Sequence, residues 1–301
     1  MIYYNKQSKR TNPLQSVYDT VNKNPKKIYQ FPAFVDIELT NHCNLNCKMC
    51  PRFLAERKQG FMSLNTFVKV ANECKKYDTP IRLIGWGEPL LHPAINDVIK
   101  DIKRNKIPLH ITTNGILLKD RIVKTIVDSK VDSIIVSFQG TNPKQYQEMR
   151  RQDKYNDIKR NIQYLVKVRG KNKKPFIQVT TTTTTETEKE KKQFINEWLP
   201  LVDAVSVGKT NMSFFEPPQA KQYVSCTEVN HQVQVDYDGN ISPCCGDYDN
   251  FLTIGNIKEA SINELWNNSK KLKCIREVLK NKGHRMLTLC KNCYPTYESC
   301  D

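Results

Sequence analysis

Cys43, Cys47 and Cys50 lie in one short run, Asn41-His42-Cys43-Asn44-Leu45-Asn46-Cys47-Lys48-Met49-Cys50, at the spacing C-x3-C-x2-C. Three thiolates held this close grip three irons of a cubane cluster and leave the fourth iron open to a ligand that is not protein. Structural zinc is the competing reading, but it closes a tetrahedron with four ligands, usually as two C-x2-C knuckles. The nearest fourth candidate, His42, abuts Cys43 and is poorly placed to share its metal.

A second constellation follows near the C-terminus: Cys226, Cys244, Cys245, the knuckle Cys290-Lys291-Asn292-Cys293, and Cys300. Brought together, Cys226, Cys244, Cys290 and Cys293 hold either a four-ligand zinc or a fully ligated 4Fe–4S cluster, and spacing alone does not separate the two. Successive strand residues point to opposite faces, so Cys244 and Cys245 do not serve one cluster together. Cys245 is the candidate to face elsewhere, with an exchange of the two roles left open. Cys74 and Cys274 fall on predicted helices and read as small core residues.

These side chains need a scaffold. Residues 34 to about 210 alternate short β-branched apolar runs with longer amphipathic segments, the pattern of repeated βα units and a parallel sheet. Strands are predicted at Phe34–Leu39, Ile81–Ile84, Leu109–Thr112, Ser133–Ser137, Phe176–Thr181 and Ala204–Val207, with helices around 64–77, 94–105, 117–129, 155–169 and 187–199. The fold class is α/β, a partial (β/α)6 TIM-like barrel. In parallel barrels the active site forms from loops at the carboxyl ends of strands. The cysteine loop follows the first strand, Gly85-Trp86-Gly87-Glu88-Pro89 the second, Thr112-Thr113-Asn114-Gly115 the third and Ser137-Phe138-Gln139-Gly140 the fourth, so all four open onto one face. Gly85 and Gly87 let backbone approach a ligand closely, and Glu88 can accept hydrogen bonds from an ammonium group. The Thr180–Thr185 run ends the fifth strand. Further on, an alternating strand pair surrounds Asp238-Gly239, a pair favoured in type I′ turns. A helix over Ser261–Lys282 then leads to the knuckle.

The cysteine triplet resembles the signature of the radical S-adenosylmethionine (SAM) enzymes. The resemblance implies a 4Fe–4S cluster on Cys43, Cys47 and Cys50 whose open iron chelates the amino acid end of SAM, with Met49 near the adenine. Gly85, Gly87, Glu88 and Pro89 match the loop that binds the SAM amino group, and Thr113 and Asn114 match a turn nearer the ribose or substrate. Ser137 matches a residue that binds the ribose or carboxylate, and Arg150 could then pair with the carboxylate. Gln139 stands where family members often carry an acidic residue. The run Asp238-Gly239-Asn240-Ile241-Ser242-Pro243-Cys244 and the closing knuckle resemble the SPASM/twitch extension, which implies an auxiliary 4Fe–4S cluster on Cys226, Cys244, Cys290 and Cys293. The chain ends one residue after Cys300, which favours the short form with one auxiliary cluster. The expected organisation is a basic N-terminal extension over 1–33, a barrel over 34–212 and an auxiliary-cluster domain over 213–301.

The resemblance implies reductive cleavage of SAM and hydrogen abstraction from a small molecule such as a sugar, aminocyclitol or nucleotide-linked sugar. If the auxiliary cluster accepts the substrate's electron, the outcome is dehydrogenation. If a thiol such as Cys245 returns hydrogen from the other face, it is epimerisation. A peptide or RNA substrate stays open, although 33 residues ahead of the first strand are few for a peptide-recognition domain. A flavodoxin- or ferredoxin-type protein is the expected electron donor. The 47 Lys and Arg against 31 Asp and Glu give a formal charge of +16, which suits a phosphorylated substrate or nucleic acid, yet the charge is spread along the chain. An iron–sulfur carrier or nucleic-acid-binding protein is the non-enzyme alternative; it would not need an open iron. Residues 1–27 are polar and basic without a signal-peptide core, and no run approaches the roughly 20 apolar residues of a membrane span. The sequence therefore predicts a cytoplasmic protein with reduced thiols.

Overall fold

Six β-branched runs become six parallel neighbours: Phe34–Ile37 (β2), Ile81–Leu83 (β3), Leu109–Thr113 (β4), Ser133–Ser137 (β5), Phe176–Thr183 (β6) and Ala204–Lys209 (β7). The computed structural model describes residues 2–5, 10–215 and 225–293, so Cys300 lies outside the described residues. Ahead of the parallel run stand a strand, Ile2–Asn5 (β1), and a helix, Gln15–Lys23 (α1). Leu64–Lys76 (α2), Ile95–Arg104 (α3), Asp120–Asp128 (α4), Pro143–Arg150 (α5), Tyr155–Arg169 (α6) and Glu188–Trp198 (α7) connect the strands. A stripe of Ile95, Val98, Ile99 and Ile102 seats α3 on the sheet, as the helical period requires. The Thr187 hydroxyl and Glu190 close a capping box at the start of α7.

The sheet runs on past the six-strand core. Gln232–Val235 (β8) pairs in parallel with β2, and Asn240–Ser242 (β9) and Gly255–Asn256 (β10) follow antiparallel. On the other side β1 pairs antiparallel with β7. The order is β1-β7-β6-β5-β4-β3-β2-β8-β9-β10, an open sheet consistent with a partial barrel. Val35, Ile37, Ile81, Leu83, Leu109 and Ile111 are fully buried. The alternate residues are polar: Arg82 forms a bidentate pair with Asp36 and donates to Gln232, and His110 bonds Ser133 and Thr112. Strand alternation therefore turns these polar side chains to the other face of the sheet, where they satisfy one another. No helix among the described residues is long and apolar enough to cross a membrane.

Two local expectations are corrected. The predicted helix over Ser261–Lys282 is two helices, Ile262–Asn268 (α8) and Lys270–Lys280 (α9), because Ser269 leaves helical geometry and its side chain accepts from Leu272 N to cap the second. The Asp238-Gly239 turn is not type I′: of its two residues only Gly239 has positive φ (+91°). Gly239 N donates to Asp236 O, and Asp236 N to Asn240 O, a three-residue loop with glycine at the left-handed position.

Candidate active site and auxiliary cysteine cavity

The loops after β2, β3, β4 and β5 meet at one end of the barrel around a cavity of about 370 Å³. Cys43, Cys47 and Cys50 line it, with Met49, Gly85, Gly87, Glu88, Thr113, Asn114, Ser137 and Arg150. Pro89 does not; it is buried at the start of the 3-10 turn Pro89–Leu91, which the Glu88 side chain caps. The rest of the wall includes Thr112, Gln139, Thr180, Thr182, Thr210 and Asn211, with Trp86 and Phe214. The threonine run divides by strand alternation: Thr180 and Thr182 face the cavity, while Thr181 donates to Gly140 O and Thr183 to Gly208 O.

Glu88 is buried and its carboxylate is surrounded by donors: Thr113 Oγ1 at 2.7 Å, Asn114 N at 2.8 Å and Leu90 N at 3.1 Å. Burial still pushes its pKa up against those bonds. Thr113 thus serves to orient Glu88, its hydroxyl being committed to that carboxylate. Asn114 Nδ2 bonds Asn44 Oδ1 at 2.7 Å and lies 3.9 Å from Cys43 Sγ. Arg150, at the end of α5, donates Nη1 to Cys47 Sγ at 3.1 Å and Nη2 to Ser137 O at 2.6 Å, while its buried Nε has no acceptor among the described residues. Burial raises the Cys43 thiol to about 11 and pushes Cys50 up as well.

The glycines are required for a reason other than ligand approach alone. A Cβ on Gly85 would sit 2.6 Å from Glu38 Cβ, and one on Gly87 would sit 2.1 Å from Thr40 O and 2.6 Å from His42 O. The loop after β3 therefore packs directly on the backbone that leads into the cysteine loop. This contact exposes two residues that sequence reasoning missed. Glu38 accepts from Trp86 N at 2.8 Å and from the Arg57 guanidinium at 2.6 and 2.8 Å. Arg57 also donates Nε to Tyr248 O at 2.8 Å, and the backbone amides of Glu56 and Arg57 both donate to Asp249 Oδ1. The signal for Glu38 was a carboxylate inside an apolar strand run; nothing local marked Arg57.

The model of the radical SAM superfamily matches residues 37–197, more than half of the chain. This protein is a radical SAM enzyme. A second model, that of the SPASM iron–sulfur cluster-binding domain, matches residues 226–294. The radical SAM chain is 24% identical over 268 residues to the S-adenosyl-L-methionine-dependent 2-deoxy-scyllo-inosamine dehydrogenase of Niallia circulans, covering 87% of this chain and 92% of that protein. It is 33% identical over 107 residues to the tungsten-containing aldehyde ferredoxin oxidoreductase cofactor-modifying protein of Pyrococcus furiosus, covering 35% of this chain but only 30% of that protein. Among solved structures, BtrN in complex with AdoMet and 2-DOIA is similar with a TM-score of 0.60 at 19% identity, covering 87% of this chain and 92% of that one. Streptococcus suis SuiB bound to S-adenosylmethionine is similar with a TM-score of 0.66 at 18% identity, covering 93% of this chain and 75% of that one. These likenesses confirm the partial-barrel fold. The two matched families imply SAM, a SAM-binding 4Fe–4S cluster and auxiliary cluster chemistry.

The residues present fit those groups. Three free thiols, a buried carboxylate and a guanidinium with an unpartnered Nε share one pocket, the donor set that a cluster and a zwitterionic amino acid need. In the C-terminal segment, Cys226, Cys244, Cys290 and Cys293 border a second cavity whose remaining wall includes Val229, Leu252, Leu279 and Leu289. Among the described residues no three Cys, His, Asp or Glu are gathered tightly enough for a single ion; the four thiols instead ring a shared void. Burial raises Cys290 and Cys293 to about 12 and pushes Cys244 well above the ordinary thiol value. Cys245 takes no part in that wall or in the first cavity: its sulfur accepts from Gln232 Nε2 at 3.4 Å.

Proposed function

We propose that this enzyme dehydrogenates a small, hydroxyl-bearing molecule such as a sugar or cyclitol, with Cys43, Cys47 and Cys50 holding the catalytic cluster and Cys226, Cys244, Cys290 and Cys293 an auxiliary one. When bound, cluster and SAM would supply the radical chemistry that takes a hydrogen atom from carbon; the oxidation also releases the hydroxyl proton, to a base or water, and one electron, for which the auxiliary cluster would supply the acceptor. Glu88, held by Thr113 and Asn114, would receive the SAM ammonium, and Arg150 the carboxylate through its spare Nε. Met49 and Ser137 would border the nucleoside. The walls fix orientation, which is what the protein contributes to a reaction of this kind.

The observation that carries the reading is the single cavity running from the three thiols to a wall of threonines and amides. Among its described lining residues only Arg150 is cationic, and it is engaged with Cys47 and Ser137. The described wall thus carries no free cation for a phosphate, which supports a neutral polyol over a phosphorylated one. The similarity to the inosamine dehydrogenase points the same way. Cys245, expected as a hydrogen donor for epimerisation, finds no support in this geometry, since it lies outside the cavity.

Iron analysis and EPR of anaerobically reconstituted protein, with and without SAM, test the assignment. The wild type should hold about eight irons and a variant with Cys43, Cys47 and Cys50 replaced by alanine about four. The signal should respond to SAM only in the wild type. About four irons plus zinc in the wild type would remove the electron acceptor and refute dehydrogenation.

A further inference from the structure

One side chain lines both cysteine cavities. Phe214 borders the pocket of Cys43, Cys47 and Cys50 as well as the void ringed by Cys226, Cys244, Cys290 and Cys293, and no other described residue borders the two. Its ring is held edge-to-face by Trp86 at 6.1 Å and Tyr248 at 5.3 Å between centroids, and those two meet each other edge-to-face at 6.2 Å. Perpendicular contacts of this kind are a preferred aromatic geometry and fix ring orientation. The backbone is pinned too: just beyond β7, Ser213 N donates to Asn211 Oδ1 and Phe215 N to Met212 O, each at 2.9 Å. Trp86 comes from the loop after β3 and Tyr248 from the segment after Cys245, so barrel and C-terminal region together hold this one ring.

The geometry points to Phe214 as the partition between the substrate pocket and the auxiliary cluster, an inference that rests on the four-cysteine ligand set proposed above. On one face the ring is a wall that a substrate abuts. On the other it completes an enclosure with Val229, Gly246, Leu252, Leu279, His284 and Leu289 that exposes no polar surface. The first cavity carries polar side chains and is the more open to water; the second exposes no polar surface and is the more enclosed. Solvent exposure is one of the quantities that set an iron–sulfur potential. Water stabilises the more highly charged reduced state of a four-thiolate cluster, so a breach in this wall raises the auxiliary potential and opens a path to small polar reagents. Phe214 would thereby hold the acceptor one ring from the substrate while keeping it dry.

The test uses the full chain carrying alanine at Cys43, Cys47 and Cys50, so that only the auxiliary cluster is read, with Phe214, Phe214→Leu or Phe214→Ala. Midpoint potential by EPR titration and the rate of iron loss to EDTA are measured for each. Phe214→Ala should raise the potential and speed iron loss several-fold, with Phe214→Leu between it and the parent; because leucine keeps most of the apolar volume, it guards against a folding artefact. Equal potentials and equal rates in all three, with about four irons present, overturn the partition while leaving the ligand set intact. A parent that retains no iron overturns the ligand set, and the partition falls with it.

Discussion

Replacing Arg57 by methionine tests the contact between the two halves of the site. The guanidinium makes a bidentate pair with Glu38, donates to Tyr248 O and lies 3.6 Å from Asp236 Oδ2. The side chains of Glu38 and Asp236 are 0% and 3% exposed and that of Arg57 9%. Methionine fills much of the same volume but leaves a buried carboxylate without its counter-charge. Removing one partner of a buried pair costs about 3–5 kcal/mol, a large share of a total stability of about 5–15 kcal/mol. At ~2 °C per kcal/mol the midpoint of thermal unfolding should fall by roughly 6–10 °C. Because Glu38 also accepts from Trp86 N, SAM affinity should weaken in the same variant. The double variant Glu38→Gln, Arg57→Met removes the stranded charge and should regain most of the loss, as a double-mutant cycle would register. A cost below about 1 kcal/mol for Arg57→Met, the range of an exposed pair, would refute the argument, as would a double variant no more stable than the single one.

Two further predictions concern the barrel interior and the auxiliary cysteines. Burial, with Arg82 nearby, holds His110 down to about 3 against an ordinary 6.5, so the unfolded chain takes up a proton that the folded one refuses; stability falls as pH drops below 6.5, by about 1.4 kcal/mol between pH 7.5 and 5.5. Urea unfolding should show this term and lose it in His110→Gln, and identical pH profiles would count against it. Cys244→Ala should lose the auxiliary cluster while Cys245→Ala keeps its full iron content, because only Cys244 borders the cysteine-ringed cavity. The reverse pattern would exchange their roles.

Much of the site was legible because its parts are local. The C-x3-C-x2-C run, the glycine-rich loop and the threonine-asparagine turn each follow a strand whose alternation is readable, and parallel strands deliver such loops to one end. The six core strands were placed to within a residue or two. What escaped was set by contacts distant in sequence. Gly87 reads as a ligand-approach glycine, yet its nearest obstacles are the carbonyls of Thr40 and His42. The helix break at Ser269 is a capping decision, where one hydroxyl bond to Leu272 N ends one helix and starts another.

The sequence by itself determined the family and which loops meet at one end of the barrel, because the spacing of the cysteine triplet and the strand period are short-range properties. Only the tertiary structure decided how the two cysteine sites are joined. Arg57 reaches Glu38, Tyr248 and Asp236 across as many as 191 residues, and Phe214 comes between two cavities built from segments far apart in the chain. Pairings of that kind are chosen by packing and buried charge, which no local pattern encodes.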